Sequence, residues 1–334
     1  MTVLDGDPVR VPAWVRRDSP APAGAVRLHG ALRGRQGVDA SLLANLAEVT
    51  VAFERLAGQL SHRAVLGPIL GHLGAITSLL AGTLAPSMRE ELCSRAGETA
   101  VLAGQVLWHA GCHDDAVRHL HDALELAVEA GDGPLGAYAL GQLAISAFRP
   151  VDRIRLLDGG GYGFHPRDAP PATRAWLTWV VADAAAVIGD TDRCLASYDL
   201  IQGAFARTAE DVAPRPAVVW YLPEDLPGDF GGSMARLRRH RQARAILTGA
   251  LDTLSWRQRK QRAWLLTSLA RTYLDSDELD PDEAARVSGE ALTITRELGS
   301  KPIEVEIRRL SRELQPWAAR PAVAGLRALV AQQP

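Results

Sequence analysis

The feature that most constrains the fold is a helical motif of small residues and leucine that occurs three times. The three copies are Ala116-x3-Leu120-x2-Ala123-Leu124, Ala243-x3-Leu247-x2-Ala250-Leu251 and Ala284-x3-Ser288-x2-Ala291-Leu292. Alanine at the first and eighth positions allows a second helix to approach closely, and leucine fills the groove between the two helices. The recurrence predicts an all-α chain of stacked helical hairpins.

Composition places the chain among ordinary soluble proteins. Of its 334 residues, 47% are hydrophobic and 23% are charged, and the formal net charge is −2. This charge balance argues against nucleic acid or an anionic membrane as the main partner. All but two of the 37 basic residues are arginine, the exceptions being Lys260 and Lys301. We attribute this predominance of arginine to a high-GC coding bias.

The cysteines and the apolar segments indicate the compartment. Cys93, Cys112 and Cys194 are odd in number and far apart, so no disulfide framework is predicted. The first residues lack the apolar stretch of a signal peptide. The most apolar predicted helix, near 176–188, is interrupted by Asp183 and is too short to cross a bilayer. We therefore expect a cytoplasmic protein without membrane contact.

Helical periodicity and breaks divide the chain into four segments. We predict an extended N-terminal arm over 1–37, helical repeats over 38–158, a flexible Gly/Pro linker over 159–171 and further repeats over 172–334. Together these repeats are expected to form one continuous solenoid. In its second half the pattern predicts single helices over 233–254, 258–275 and 281–298, with Gly131 and Gly189 ending earlier ones.

Several runs resemble the tetratricopeptide-like C-terminal region of actinobacterial XRE-type helix-turn-helix transcriptional regulators. They are 97–104 (GETAVLAG), 116–120 (AVRHL), 130–132 (AGD), 137–143 (AYALGQL), 174–177 (RAWL) and 314–317 (LQPW). The resemblance covers roughly 38–330 and implies a right-handed superhelix of stacked hairpins with a concave groove. Because it consists of scaffold residues and turns, it predicts architecture more than activity.

One departure from that family bears directly on function. Its regulators carry a DNA-reading domain of roughly 60 residues before the repeats, with a recognition helix for the major groove. Here only the Pro-rich arm precedes the first predicted helix. The chain resembles the sensor half of such a regulator, and we expect no direct DNA binding.

Two motifs with possible chemistry are judged to be structural. His109, Cys112, His113, His119 and His121 crowd one stretch, but Gly111 separates the first from the others, and 119 and 121 fall on nearly opposite helix faces. No metal site is therefore predicted. The glycine-rich run 159–163 lacks both the GxxxxGK[ST] pattern and a preceding strand, so it does not predict a phosphate loop.

The aromatic residues give the best functional indication. Trp108, Trp176, Trp179 and Trp264 fall on the first helices of their pairs, which line the concave side in the resembling architecture. Tryptophan combines a large contact area with one N–H donor and suits an amphipathic ligand, although the pattern favours the simpler interpretation that these rings fill gaps between hairpins. The full set of predicted ligand-binding residues is Gln105, Trp108, Tyr138, Gln142, Trp176, Trp179, Asp183, Trp220, Tyr221 and Trp264.

A basic cluster supplies the candidate partner site. Arg238, Arg239 and Arg241 lie in it and could hold an acidic peptide, although a solvated helix face with local acidic partners is an alternative. The leading hypothesis is a binding protein without catalytic residues or cofactor. It would recognise a peptide or small amphipathic molecule, act on a partner protein and be able to form a homodimer.

The alternative hypothesis is an enzyme of secondary-metabolite biosynthesis, of cyclase, isomerase or hydrolytic type. It would use an aromatic pocket and acids such as Asp183 or Glu98. An enclosed cavity with converging ionisable groups would favour this alternative, and an open trough would favour binding.

Overall fold

A computed structural model describes residues 38–208, 225–255, 258–274 and 278–332. Within these ranges the chain is all-α, with an isolated bridge between Gly161 and Phe164 and no strand. The helices are α1 (Ala40–Ala57), α2 (His62–Leu80), α3 (Pro86–Ala110), α4 (His113–Ala130), α5 (Gly133–Ala147), α6 (Pro150–Gly159), α7 (Pro171–Ile188), α8 (Thr191–Thr208), α9 (Leu226–Arg236), α10 (His240–Thr253), α11 (Arg259–Thr272), α12 (Pro281–Leu298), α13 (Lys301–Glu313) and α14 (Pro321–Ala331).

Local sequence explains many of the helix ends. The side chains of Asp39, Asp132 and Asp280 each accept a hydrogen bond from the backbone N–H three residues later, which caps α1, α5 and α12. Glycine in the left-handed region ends α4 at Gly131 and α7 at Gly189.

The repeated motif packs in the same way in its first two copies. Gly104 of α3 faces Leu120 of α4, and a Cβ added to that glycine would lie 2.8 Å from the leucine Cγ. Gly231 of α9 faces Leu247 of α10 with the same 2.8 Å separation. In both hairpins the glycine precedes the leucine by sixteen residues. The motif therefore marks sites where two helices approach too closely for a side chain.

The helices pack in series. Each of α3, α7, α9 and α11 packs against the helix that follows it, and each odd-numbered helix from α1 to α11 also contacts the next odd-numbered helix. A further contact joins α3 to α13, which is distant in sequence. The odd-numbered helices thus form one continuous row, from α1 to α13, in which each helix contacts the next.

The predicted single helix over 233–254 is wrong. Two helices, α9 and α10, occupy this region, and they are separated by a turn at 237–239 in which Arg238 has a φ of 60°. The residues at the break are neither glycine nor proline, so their identities do not predict a turn. The turn allows α10 to fold back onto α9, placing Leu247 against Gly231.

The predicted linker contains ordered structure. A tight turn joins Gly161 to Phe164 through two backbone hydrogen bonds of 2.9 Å, and a short 3-10 helix follows at Pro166–Asp168. The Phe164 ring packs against Gly136 of α5, where a Cβ would lie 2.2 Å from the ring. This segment is thereby joined to the hydrophobic core.

One helix of the described residues is long and apolar enough to match a membrane-spanning segment. It is α2, with a mean hydropathy of 1.3, and not the 176–188 region. It packs against α1 and α3, and its His72 side chain and Thr99 of α3 both hydrogen-bond Thr50 of α1, at 3.1 and 3.0 Å. These polar contacts connect α2 to both neighbouring helices.

Candidate functional site

The predicted ligand-binding residues that the structure describes all lie on odd-numbered helices. They are Gln105 and Trp108 on α3, Tyr138 and Gln142 on α5, Trp176, Trp179 and Asp183 on α7, and Trp264 on α11. Trp220 and Tyr221 lie outside the described residues.

A hydrogen-bonded cluster links α3 and α5. The Gln105 amide Nε2 donates to the Tyr138 hydroxyl at 2.7 Å, and the Gln142 side chain lies close to the same hydroxyl. Tyr138 is 6% exposed, and burial, together with the negative charge of Glu54, raises its pKa. The phenol is therefore neutral at physiological pH and accepts the hydrogen bond from Gln105.

Trp176 fills the interface between α5 and α7. Its ring lies 4.9 Å from the Tyr138 ring, centroid to centroid, and the residue is 9% exposed. Gly141 provides the space, because a Cβ there would lie 2.3 Å from the indole Cζ3 atom. Trp176 therefore fills a gap between two helices, as the alternative interpretation of the tryptophans predicted. In contrast, Trp108, Trp179 and Trp264 are only half-buried.

Asp183 is not an unpaired acid beside the aromatic rings. Its carboxylate forms an ion pair with the Arg236 guanidinium at 3.0 Å, joining α7 to α9. Arg153 contributes a second positive charge to this region. Burial lowers the pKa of that guanidinium, and the Asp183 carboxylate opposes the effect. Glu98, the other acid considered for catalysis, is buried and paired with Arg95 at 2.9 Å.

The predicted partner-binding arginines lie at the turn between α9 and α10 and in the first turn of α10. Arg238 and Arg239 are exposed. Arg241 forms an ion pair with Glu278 at 3.0 Å, and Arg244 pairs with the same carboxylate at 2.9 Å. Arg241 thus has the local acidic partner that the alternative interpretation expected.

A group of ionisable residues that sequence reasoning missed surrounds the end of α3. The rings of His62 and His109 stack with centroids 5.0 Å apart, and the His109 Nδ1 atom lies 3.0 Å from the Ser300 hydroxyl. Both histidines are buried. Burial, together with the positive charge of Lys260, lowers the pKa of His62 to about 4 and that of His109 well below its usual range. Both imidazoles are therefore neutral at pH 7.

Lys260 is the cation of this group. It lies in the first turn of α11, is half-buried, and is close enough to Glu54 and both histidines for their charges to interact. Burial lowers its pKa, and the Glu54 carboxylate opposes the effect. Among the described residues no carboxylate oxygen lies within 4.0 Å of its ammonium group.

A compositional signal could have identified this site. Lys260 is one of two lysines in a chain whose other basic residues are all arginine. Burial lowers the pKa of a lysine, whereas arginine stays charged. An isolated lysine in an arginine-rich chain therefore indicates a position where the properties of an amine matter. His62 and Glu54 carry no comparable signal, because their proximity to Lys260 arises from contacts between distant helices.

The histidine and cysteine residues of the 109–121 stretch do not converge. His109 is buried against His62, whereas Cys112 and His113 are exposed. Across the described ranges no three His, Cys, Asp or Glu side chains are grouped as metal ligands.

Two surface cavities lie apart from the predicted ligand-binding residues. One of about 340 Å³ is bordered by Val128, Phe164 and His165, and one of about 280 Å³ by Leu177, Val181 and Leu200. None of the predicted site residues lines either cavity.

Comparison with known proteins assigns no family. No protein-family model matches the sequence, and no curated protein matches it either.

Proposed function

We propose that this chain is a cytoplasmic binding protein with a tetratricopeptide-like, right-handed superhelical arrangement. It would take a peptide or a small amphipathic molecule against its odd-numbered helices and pass the signal to a partner protein, without contacting DNA itself. The observation that carries the proposal is the position of half-buried Trp108, Trp179 and Trp264, all on the odd-numbered helices. Half-buried tryptophans give large contact areas at little conformational cost.

The packing of the odd-numbered helices supports this proposal. Because each of them contacts the next, these helices would bring side chains from distant parts of the sequence to one ligand-binding surface. The Gln105–Tyr138 hydrogen bond and the Tyr138–Trp176 ring contact fix the wall behind that surface. A rigid apolar wall with half-exposed indoles is suited to ligands that combine an apolar body with a polar end.

The experiment uses two probes, a random dodecapeptide library displayed on phage and the amphipathic dye 8-anilino-1-naphthalenesulfonate. Enriched peptides and the dye are titrated into wild type, Trp108→Ala, Trp264→Ala and a control, Trp317→Ala, which lies in the short 3-10 helix Gln315–Trp317. We expect affinity to fall at least about tenfold in the first two variants and to stay within about twofold in the control. Equal binding by all four proteins, or binding of neither probe, would contradict the proposal.

The enzyme alternative retains one supporting observation. The lowered pKa of Lys260, next to the Glu54 carboxylate, increases the fraction of free amine, which is the form able to act as a base or nucleophile. Mass spectrometry of enriched peptides after prolonged incubation with the protein distinguishes a binding protein from an enzyme. Recovery of unchanged ligand supports binding alone, and a converted product supports catalysis.

A further inference from the structure

We propose that α1 is the interface of a homodimer, in which the α1 helices of two copies of this chain pack antiparallel about a twofold axis near Ala52. This inference concerns an interaction surface and its partner. It does not depend on whether the odd-numbered helices bind a ligand.

The first argument is that α1 is apolar on two opposite sides. One side, with Leu42, Leu46 and Thr50, is buried where α1 packs against α2 and α3. On the other side Val49 and Leu56 are each 40% exposed, and Ala52 between them is also exposed. We call Val49, Ala52 and Leu56 the outer stripe. A helix at a protein surface needs one apolar side for folding, so the second is available to a partner.

The spacing of the outer stripe indicates what that partner is. Ala52 follows Val49 by three residues and precedes Leu56 by four, which is the heptad spacing of helices that pack along their length. With its 18 residues α1 is about 27 Å long, so the stripe has room for several turns of a second helix.

The charges beside the stripe identify the second helix as another α1. Glu48 and Arg55 are seven residues apart, and each immediately precedes a residue of the outer stripe. Both are exposed, and neither has an ion pair among the described residues. In an antiparallel pair centred on Ala52, Glu48 of each copy lies opposite Arg55 of the other. Two symmetrical ion pairs then flank the apolar contact, as a twofold axis requires. A parallel pair would instead place like charges at the same level.

The neighbouring helix α2 offers no charge that would oppose this contact. From Ala64 to Leu80 it contains no Asp, Glu, Lys or Arg, and Leu70 is 37% exposed. Standard stable interfaces bury about 1,200–2,000 Å² in total, and one pair of helices covers the lower part of this range. We therefore expect a dimer with a dissociation constant of about 1–100 µM.

The test measures the mass of the full chain by sedimentation equilibrium from about 1 to 200 µM, a range that brackets the expected constant. The variants are Leu56→Glu, Glu48→Arg, Arg55→Glu and the double reversal of the two charges. The matched control is Val305→Glu on α13, where the valine is 58% exposed and lies outside the proposed interface. The two single reversals are also measured as an equimolar mixture.

We expect wild type and Val305→Glu to dimerise alike. Leu56→Glu and each single reversal alone should weaken self-association at least about tenfold, because they place a charge in the apolar contact or like charges opposite each other. The mixture should form a heterodimer, and the double reversal should dimerise like wild type, since each arginine then faces a glutamate. Misfolding cannot produce this recovery, because both variants must be folded to associate.

Three results would overturn the proposal. Wild type that stays monomeric at every concentration would assign the outer stripe to another occupant. A dimer that Leu56→Glu does not weaken would place the interface elsewhere on the chain. Single reversals that fail to associate when mixed would refute the antiparallel pairing of Glu48 with Arg55.

Discussion

The contact between Gly141 and Trp176 allows a quantitative test of how tightly α5 and α7 pack against each other. In Gly141→Ala the new Cβ would lie 2.3 Å from the indole Cζ3 and 2.5 Å from Cδ2 of Leu177. The indole has little room to move away, because it is 9% exposed and its other contacts include the Tyr138 ring at 4.9 Å. The substitution should therefore strain the α5–α7 interface.

The magnitude follows from two opposing effects. Replacing a helical glycine by alanine stabilises a helix by about 1 kcal/mol, whereas overpacking a filled core costs about 1–3 kcal/mol. Because the new Cβ would overlap both side chains strongly, at 2.3 and 2.5 Å, the cost lies in the upper part of that range, and we expect Gly141→Ala to lower the free energy of unfolding by about 1–2 kcal/mol. In a chain of this length that corresponds to a fall of about 1.5–3 °C in the melting temperature.

The assay is thermal unfolding followed by far-UV circular dichroism, with Gly249→Ala as the control. Gly249 lies inside α10, is exposed, and a Cβ there would meet nothing within 4 Å, so this variant should melt slightly above wild type. In a Trp176→Leu background the penalty of Gly141→Ala should largely vanish, since the two changes share one contact. If Gly141→Ala melts at or above wild type, the reasoning is refuted.

Three further predictions concern buried polar contacts. Tyr138→Phe removes the acceptor of the Gln105 amide and should destabilise the protein by about 1–2 kcal/mol in urea unfolding. A double-mutant cycle of Asp183→Asn and Arg236→Gln should give a coupling energy of about 1 kcal/mol, because the pair is only partly exposed. The pKa of His62 is about 4 when folded and 6.5 when unfolded, so the unfolded state takes up the proton first as pH falls. Stability should therefore decrease by about 3 kcal/mol between pH 7 and pH 4, and less in His62→Gln.

Each of these predictions has its own control or contradictory outcome. Tyr162 is 48% exposed, so Tyr162→Phe should leave the urea midpoint unchanged, and a loss equal to that of Tyr138→Phe would count against the buried hydrogen bond. A coupling energy near zero would show that the ion pair between α7 and α9 contributes nothing measurable. An unchanged pH dependence in His62→Gln would show that other groups account for the acid sensitivity.

The sequence by itself determined the local structure. The 3.6-residue periodicity, the capping aspartates and the terminal glycines located most helices. The small-residue motif marked two helix pairs that approach too closely for a side chain, at Gly104 and Gly231. These features act over one or two helical turns and can therefore be recognised in a short stretch of sequence. Where the break depended on a single backbone angle, as at Arg238, the sequence-based prediction failed.

The tertiary structure decided which ionisable groups meet. His109 contacts Ser300 across 191 residues of sequence, and this contact helps place the start of α13 beside the end of α3. The effect of the Lys260 charge on both stacked histidines likewise depends on residues that are far apart in the sequence. No short window of sequence contains such long-range contacts, so the tryptophans could be assigned to helices from the sequence, whereas the meeting of His62, His109 and Ser300 could not.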